Sequence, residues 1–473
     1  MSSCSLEFDA GTLVIRGDEE ALDCIVHEIR QDSRINAWRA PAGAYADIMR
    51  KLYKHGISVE DHAKDYSKLP DLKLHNNWIP MKHQAEAIAA WREAQCRGVA
   101  VMPTGSGKTF LAMLAINLLK RSTIIIVPTI DLLQQWASIL EQNFQCKIGM
   151  LGGGSKEILP ITVSTYDSAV MQMEFIGNRF GFQIFDECHH LPGPVNRTAA
   201  SMCLAPYRLG LTATPEREDG GEELYRDLLG KIVYYAHIDE LEGSVLAPYE
   251  TRRISVELSP EEQQEYTLAR QKYVSFIRAM GINFQERDAW NRFIALCARR
   301  PGGREVMAAY RKQRMIAQCS RAKLQVLWQI IRTHPAARTL IFTADNDTAY
   351  QIGEALCLPV LTHKTKASER KFFLEQFRSG AYPVLVTSKV LNEGVDVPEA
   401  NIGIVVSGSG STREHVQRLG RILRKSGDGK EAVLYELVSA GTGEMNVSER
   451  RRNHRAYQPW NFRKKNRGGT GSC

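Results

Sequence analysis

Nowhere in its 473 residues does the chain hold a run of about 18 apolar residues, the length a membrane-crossing helix needs. Its opening, Met-Ser-Ser-Cys-Ser-Leu-Glu-Phe-Asp, lacks a basic stretch followed by an apolar one, so no secretory signal is expected. Cys-x-x-Cys does not occur; the ten cysteines are scattered at 4, 24, 96, 146, 188, 203, 297, 319, 357 and 473. That scatter predicts reduced, intracellular thiols and no zinc or iron–sulfur site. Tandem repeats and long low-complexity segments are absent as well.

An excess of charge is also missing from most of the chain. The formal net charge is +8, but residues 448–473 hold eight Lys or Arg against one acid, Glu449. The rest carries about +1, so global charge says little about the body of the protein. The tail, with Tyr457, Trp460 and Phe462 among its basic residues, reads either as an arm for DNA or as a solvated, disordered end. What is present is ordinary: 44% hydrophobic and 24% charged residues describe a soluble globular chain with ample core. The length allows roughly three domains.

Residues 1–70 set themselves apart as a small α+β module of a size suited to binding or docking. Thr12 to Arg16 predicts a strand closed by Gly17, Asp32 to Pro41 a short helix, and Tyr45 to His55 an amphipathic helix stopped by Gly56. From about Leu74, short apolar runs alternate with helical patterns, giving strands at 99–102, 123–127, 161–164, 182–185 and 208–211. After Leu246 a second alternation gives strands at 339–342, 359–361, 384–386, 402–406 and 433–437. The expected fold is α/β, with two tandem parallel-sheet domains at 71–245 and 246–445. A helical insert interrupts the second at about 259–320. The capping box Ser259-Pro-Glu-Glu262 opens it, and Arg299-Arg-Pro-Gly-Gly-Arg304 breaks it. Residues 446–473 form the basic tail.

Met102-Pro-Thr-Gly-Ser-Gly-Lys-Thr109 follows one apolar run and opens another, Phe110 to Leu119: strand, glycine turn, helix. In the loop Thr104 to Thr109, Gly105 and Gly107 let backbone N–H groups flanking Ser106 turn inward as a nest for phosphate. Lys108 adds a charge for the phosphates and Thr109 a hydroxyl for Mg²⁺. The general phosphate-loop pattern has one more glycine, where Met102 stands.

Asp186-Glu187-Cys188-His189 ends the run Phe182 to Phe185, and carboxylates at the C-terminal edge of a parallel strand face a ligand crevice. Asp186 is expected to hold Mg²⁺ through water, and Glu187 to orient and deprotonate an attacking water. His189-His190 is not expected to bind metal, for want of a third ligand at suitable spacing. His189 is instead expected to relay between the nucleotide and Thr212-Ala-Thr214, which reads as a bridge to a neighbouring domain or as a plain turn. Ser411-Thr-Arg-Glu414 is another capping box. On the helix it opens, Gln417, Arg421 and Arg424 share a face suited to stabilising a transferring phosphoryl group; a basic solvated face is the alternative. Gln84 can read an adenine edge or stand as a surface amide.

In order and spacing, Gly105-Ser-Gly-Lys-Thr109, Asp186-Glu-Cys-His189, Thr212-Ala-Thr214, Asn392-Glu-Gly-Val-Asp396 and Gln417-Arg-Leu-Gly-Arg-Ile-Leu-Arg424 resemble the motifs of superfamily-2 helicases. Met102 in place of glycine is in keeping with that superfamily. Arg217-Glu218-Asp219, the helical insert and the N-terminal unit resemble more narrowly the XPB family in its short archaeal form, over essentially all but the tail.

The resemblance implies two RecA-like domains, a thumb at 259–320 and a damage-recognition-like module at 1–70. It implies ATP hydrolysis with Mg²⁺ between the RecA-like domains, and 3′-to-5′ translocation that opens DNA in nucleotide excision repair and in transcription. By the same match, Lys108 and Thr109 bind phosphate and Mg²⁺, Asp186 binds the metal, Glu187 is the base, and Arg421 and Arg424 are arginine fingers with Gln417 beside them. Gly394 and Asp396 would couple nucleotide to DNA. Thr129, Thr165, Thr387 and Ser388 would contact the DNA backbone, and Arg217, Glu218 and Asp219 would act as a wedge or pair across domains.

The expected partners are duplex, forked or damaged DNA and a nuclease, with no membrane and no structural metal, in the nucleoid of a prokaryotic cytoplasm. An RNA helicase of the same superfamily, or an ATP-driven remodeller serving as a scaffold for the nuclease, are the alternatives.

Overall fold

The computed structural model describes residues 2–75, 78–215, 223–237, 240, 249–284, 286, 288–388, 400–408 and 432–452. The chain divides into two compact units, one spanning Met1–Leu241 and the other beginning at Glu242.

The first unit starts with a mixed five-stranded sheet. Strands β1 (Ser3–Asp9), β2 (Thr12–Gly17), β3 (Arg30–Asp32), β4 (Ala37–Pro41) and β5 (Ser58–Asp61) lie in the order β3-β4-β2-β1-β5. Helices α1 (Glu19–Asp23) and α2 (Tyr45–Lys54) pack Ala21, Ile48 and Leu52 with Leu6, Leu13 and Ile15 of the strands. The stretch 32–41, expected as a short helix, is a hairpin instead. Asp32 pairs with Ala37 across it, and Asn36 turns the chain at φ +48°. Asparagine tolerates that left-handed conformation. Asp32 holds Arg34 and Arg39, each at 2.8 Å, so local charge pairs favour the turn over a helix.

This module packs directly on the domain that follows. Leu204, from that domain, is buried in the module's core. A Cβ on Gly11 would stand 2.7 Å from Met202 Cγ, and Arg97 pairs with Asp47 at 3.5 Å. The connector is pinned as well: Asp65 N–H donates to Asn178 O and Leu69 N–H to Lys120 O.

The domain itself is an eight-stranded sheet. Its strands are β6 (Arg97–Val101), β7 (Thr123–Val127), β8 (Gly149–Gly152), β9 (Ser155–Lys156), β10 (Ile161–Thr165), β11 (Phe182–Asp186), β12 (Tyr207–Thr212) and β13 (Ile232–Tyr235). They lie in the order β13-β6-β12-β11-β7-β10-β8-β9, parallel except for the β8–β9 pair. Every residue of β7 is buried because both faces are covered. Ile125 and Val127 meet one core with helices α3 (Lys82–Glu93), α4 (Lys108–Leu119) and α5 (Ile130–Phe144); Ile124 and Ile126 meet the other with α6 (Tyr166–Ile176).

The second unit carries a wholly parallel sheet. Strands β14 (Tyr249–Val256), β15 (Thr339–Phe342), β16 (Val360–Leu361), β17 (Val384–Thr387), β18 (Ile402–Val405) and β19 (Ala432–Ser439) lie in the order β14-β19-β18-β15-β17-β16. The insert is three helices, Pro260–Ala279, Ala289–Arg299 and Gly303–Gln318. Its capping box forms in both directions between Ser259 and Glu262. Phe293 centres a separate aromatic core with Tyr273, Phe276 and Tyr310. Among the described residues, no helix is long and apolar enough to cross a membrane.

Candidate nucleotide site

The loop after β6 has the conformation its glycines permit. Gly105 and Gly107 sit at φ +85° and +84°, and Gly107 caps the N-terminus of α4. Met102 is fully buried, so the position where the general pattern has glycine is a core position at the end of the strand. Ser106 is also buried, and its hydroxyl donates to Pro103 O at 2.7 Å. Two side chains of α3 clamp the loop from behind. His83 Nε2 donates to Ser106 O at 2.8 Å, and Gln84 Nε2 donates to the same carbonyl at 3.1 Å. Gln84 Oε1 accepts from Met81 N–H at 3.0 Å. Both ends of the Gln84 amide are thus engaged within the protein and the residue is buried, whereas the sequence suggested an amide facing adenine or solvent.

Opposite the loop stand the two acids at the end of β11. Lys108 Nζ lies 3.4 Å from Glu187 Oε1. Glu187 takes φ +47°, a left-handed conformation that is costly for a residue with a side chain. This turns the chain out of the strand at once and sets the two carboxylates apart. Asp186 is buried and both of its carboxylate oxygens have donors: Glu187 N–H at 3.0 Å on Oδ1 and Trp136 Nε1 at 2.9 Å on Oδ2. Burial, reinforced by the Glu187 charge, pushes the Asp186 carboxyl up to about 6; Lys108 and the Trp136 N–H pull the other way.

A hydroxyl on Thr109 and a carboxylate on Asp186 are hard oxygen donors of the kind Mg²⁺ takes alongside phosphates and water. The buried carboxylate, already oriented by two N–H groups, fits that use. Among the described residues, no cluster of three or more His, Cys, Asp or Glu could hold a metal by itself.

His189 is fully buried, with Nδ1 at 3.0 Å from Thr212 Oγ1 and 3.4 Å from Glu187 Oε2. Thr212 Oγ1 donates to Thr214 O at 3.1 Å. The structure therefore joins Lys108, Glu187, His189, Thr212 and Thr214 in one polar chain, running from the phosphate loop to the end of β12. Cys188, inside the acidic motif, is buried core.

Thr129 and Thr165 cap the N-termini of α5 and α6, their hydroxyls accepting from Leu132 N–H and Ser168 N–H at 3.3 Å. Gly152 and Gly153 of the β8–β9 turn lie against Thr165 and Ile130. Both threonine hydroxyls serve these caps as acceptors, and the Thr165 hydroxyl donates to Ser168 Oγ at 2.9 Å. Thr387 and Ser388 are buried, and the Thr387 hydroxyl donates to Ser388 O at 3.2 Å. Arg217, Glu218, Asp219, Gly394, Asp396, Gln417, Arg421, Arg424 and residues 453–473 lie outside the described residues.

Sequence reasoning missed three residues at this site. His83 stands beside Gln84 without any motif of its own. Trp136 falls on the buried stripe of α5 with Leu133, Ala137 and Leu140 and looks like core. Tyr166, on α6, donates its hydroxyl to Asp186 O at 3.2 Å.

Residues 6–63 match the xeroderma pigmentosum group B helicase damage recognition domain, and residues 304–467 the ERCC3/RAD25/XPB C-terminal helicase. Between them, residues 78–217 match the type III restriction enzyme, res subunit. The DNA 3'-5' translocase XPB2 of Sulfurisphaera tokodaii is 39% identical over 431 residues, covering 91% of this chain and 97% of that protein. The DNA 3'-5' helicase XPB of Mycobacterium tuberculosis is 32% identical over 430 residues, covering 88% and 71%. The Pyrococcus furiosus Hef helicase domain superposes with a TM-score of 0.53 at 18% identity, over 78% of this chain and 97% of that one, a likeness of fold alone. With XPB-specific domains matched at both ends and a relative of this identity along nearly its whole length, the chain belongs to the XPB family of superfamily-2 helicases.

Proposed function

We propose that this chain is an ATP-hydrolysing DNA helicase or translocase that moves 3′ to 5′ and opens duplex DNA. The observation that carries the reading is the meeting of Lys108 and Glu187 beside a left-handed glycine loop. A lysine paired with a carboxylate can exchange it for phosphate oxygens. Released, Glu187 accepts the proton of an attacking water, while the turned-in loop N–H groups hold the phosphates. Thr109 and Asp186 would hold Mg²⁺, which supplies charge neutralisation for the phosphates. The motif match assigns Gln417, Arg421 and Arg424 to stabilising the transferring group, and Gly394 and Asp396 to coupling.

For the DNA track, the capped ends of α5 and α6 support phosphate binding through backbone N–H groups, with Thr129 and Thr165 shaping those ends. The names of the relatives support DNA as the substrate. The Saccharomyces cerevisiae relative is a general transcription and DNA repair factor IIH helicase/translocase subunit, 26% identical and covered over 40% of its length. That name and the damage-recognition match support a role in excision repair and transcription.

The test is ATP hydrolysis measured with duplex, forked, damaged and single-stranded DNA and with RNA. DNA should stimulate turnover and Lys108→Ala should abolish it. Undiminished hydrolysis by Lys108→Ala would overturn the site, and stimulation by RNA alone would overturn the substrate.

A further inference from the structure

The Asp186 carboxylate does not hold its own orientation. It ends β11, which has β12 on one side and β7, then β10, on the other. Strands β7 and β10 each run straight into a helix, and each helix reaches back to Asp186. Trp136, on α5 after β7, donates its indole N–H to Oδ2 at 2.9 Å. Tyr166, the first residue of α6 after β10, donates its hydroxyl to the Asp186 carbonyl at 3.2 Å. Glu187 N–H takes Oδ1 at 3.0 Å. Trp136 and Tyr166 are both buried, so neither bond competes with water.

Resting on the nucleotide site proposed for Lys108 and Asp186, we propose that Trp136 is a positioning residue for metal binding: its N–H fixes the Asp186 carboxylate in the orientation that receives Mg²⁺ with ATP. The chemistry is that of an outer-shell donor, which holds a ligating carboxylate in place without touching the metal. Loss of such partners typically weakens metal affinity or activity by about 10–100-fold. Tyr166 secures the same residue through its main chain, so the acid is mounted from two helices. A buried indole N–H needs an acceptor; the one that Trp136 takes is the Asp186 carboxylate rather than a main-chain carbonyl, as Trp91 takes at Arg208 O.

The test uses the full chain and Trp136→Phe, which keeps an aromatic ring and deletes the donor. A fluorescent ATP analogue is titrated in EDTA, and Mg²⁺ is then titrated against the bound analogue. Affinity in EDTA should stay within about twofold, because the loop and Lys108 are untouched. The midpoint of the Mg²⁺ titration should rise about 10–100-fold, and excess Mg²⁺ should restore turnover. A purely structural role would instead lower affinity in EDTA along with melting temperature, and extra Mg²⁺ would not rescue it. An unchanged Mg²⁺ midpoint overturns the proposal. Should the phenylalanine variant fail to fold, replacement of Trp136 by 3-benzothienylalanine, which keeps the bicyclic shape without the N–H, is read by the same two outcomes. If the parent itself shows no Mg²⁺-dependent nucleotide binding, the nucleotide reading fails first and takes this one with it. The variant's normal behaviour beside a Mg²⁺-dependent parent sinks this proposal alone.

Discussion

Lys108 and Glu187 neutralise each other across 3.4 Å, with only 11% and 13% of their side chains exposed. On the proposed reading, the cation meant for phosphate and the base meant for water hold each other in reserve until phosphate displaces the carboxylate. Glu187→Gln should separate their two duties. Lys108 is then released to phosphate, so nucleotide affinity should be retained or rise, while turnover falls by about 10²–10⁴ as a general base is lost. Equilibrium binding and single-turnover hydrolysis distinguish the two. A variant that loses affinity and rate together would show that Glu187 serves mainly to shape the loop.

Gly107 should tolerate no side chain, for two separable reasons. Its φ of +84° is strained for any L-residue, and a Cβ would stand 2.2 Å from Gln84 Nε2. Gly107→Ala should cost about 1–3 kcal/mol from backbone strain alone. Shortening the neighbour as well, with Gln84→Ala, should return the clash component but not the strain. Thermal melting of both single variants and the double shows this as non-additivity. Strict additivity would mean the amide simply swings aside.

The pH dependence of stability should carry the mark of Asp186. Its folded carboxyl is raised to about 6 by burial and then by Glu187, whereas an unfolded aspartate titrates near 4. Between those values the folded chain binds more protons than the unfolded one. Stability therefore falls as pH rises from about 4 to about 6, and the full cost persists above that. In EDTA, the stability of Asp186→Asn relative to the parent should rise by on the order of 1–3 kcal/mol between pH 4 and neutral pH, on top of a pH-independent cost because an amide cannot accept from both Glu187 N–H and Trp136 Nε1. Thermal melting of the two proteins across this range is the measurement. A gap independent of pH would show that the buried charge is not the cause.

The basic tail is best truncated after Arg452. The helix Glu444–Arg452 is part of the second unit: Ser448 is fully buried, and Glu444 pairs with the buried Lys323. Cutting from 448 would remove packed structure along with charge. Residues 453–473 still carry five Lys or Arg, at 455, 463, 464, 465 and 467. Removing them should flatten the dependence of log affinity on log salt by roughly 0.9 for each duplex phosphate the tail no longer neutralises. An unchanged slope would make the tail a bystander.

Most strands of the two parallel sheets were legible because buried parallel strands are short apolar runs between turn residues, whereas β8, β9, β13 and β14 at the sheets' flanks were not. Thr123–Val127 and Thr339–Phe342 agree to the residue. The hairpin at 32–41 was not, because Ile35 and Trp38 stand three apart and mimic a helical face, while the deciding features are the Asn36 turn and the two arginines on Asp32. At the site, the motif residues Lys108, Asp186, Glu187 and His189 come together as their spacing implied. Their supports did not announce themselves. Trp136 and Tyr166 are brought to Asp186 by strand order, which sets β7 beside β11 and β10 next beyond β7. No local pattern distinguishes an indole that fills space from one that also makes a bond.

Leu204 lies inside the core of the N-terminal module, although it is more than a hundred residues away in the chain. The border at residue 70 is therefore a boundary in composition but not in packing. Transplanting residues 1–70 onto another motor would carry a hole where Leu204 belongs, and a motor stripped of them would show an unmatched leucine to water. A transferable piece has to carry the module together with the domain that supplies Leu204, because Tyr207 and Arg208, just beyond it, already belong to β12. Chimaeras joined at 70 should be soluble only by accident, whereas those that bring their own Leu204 should inherit a finished interface.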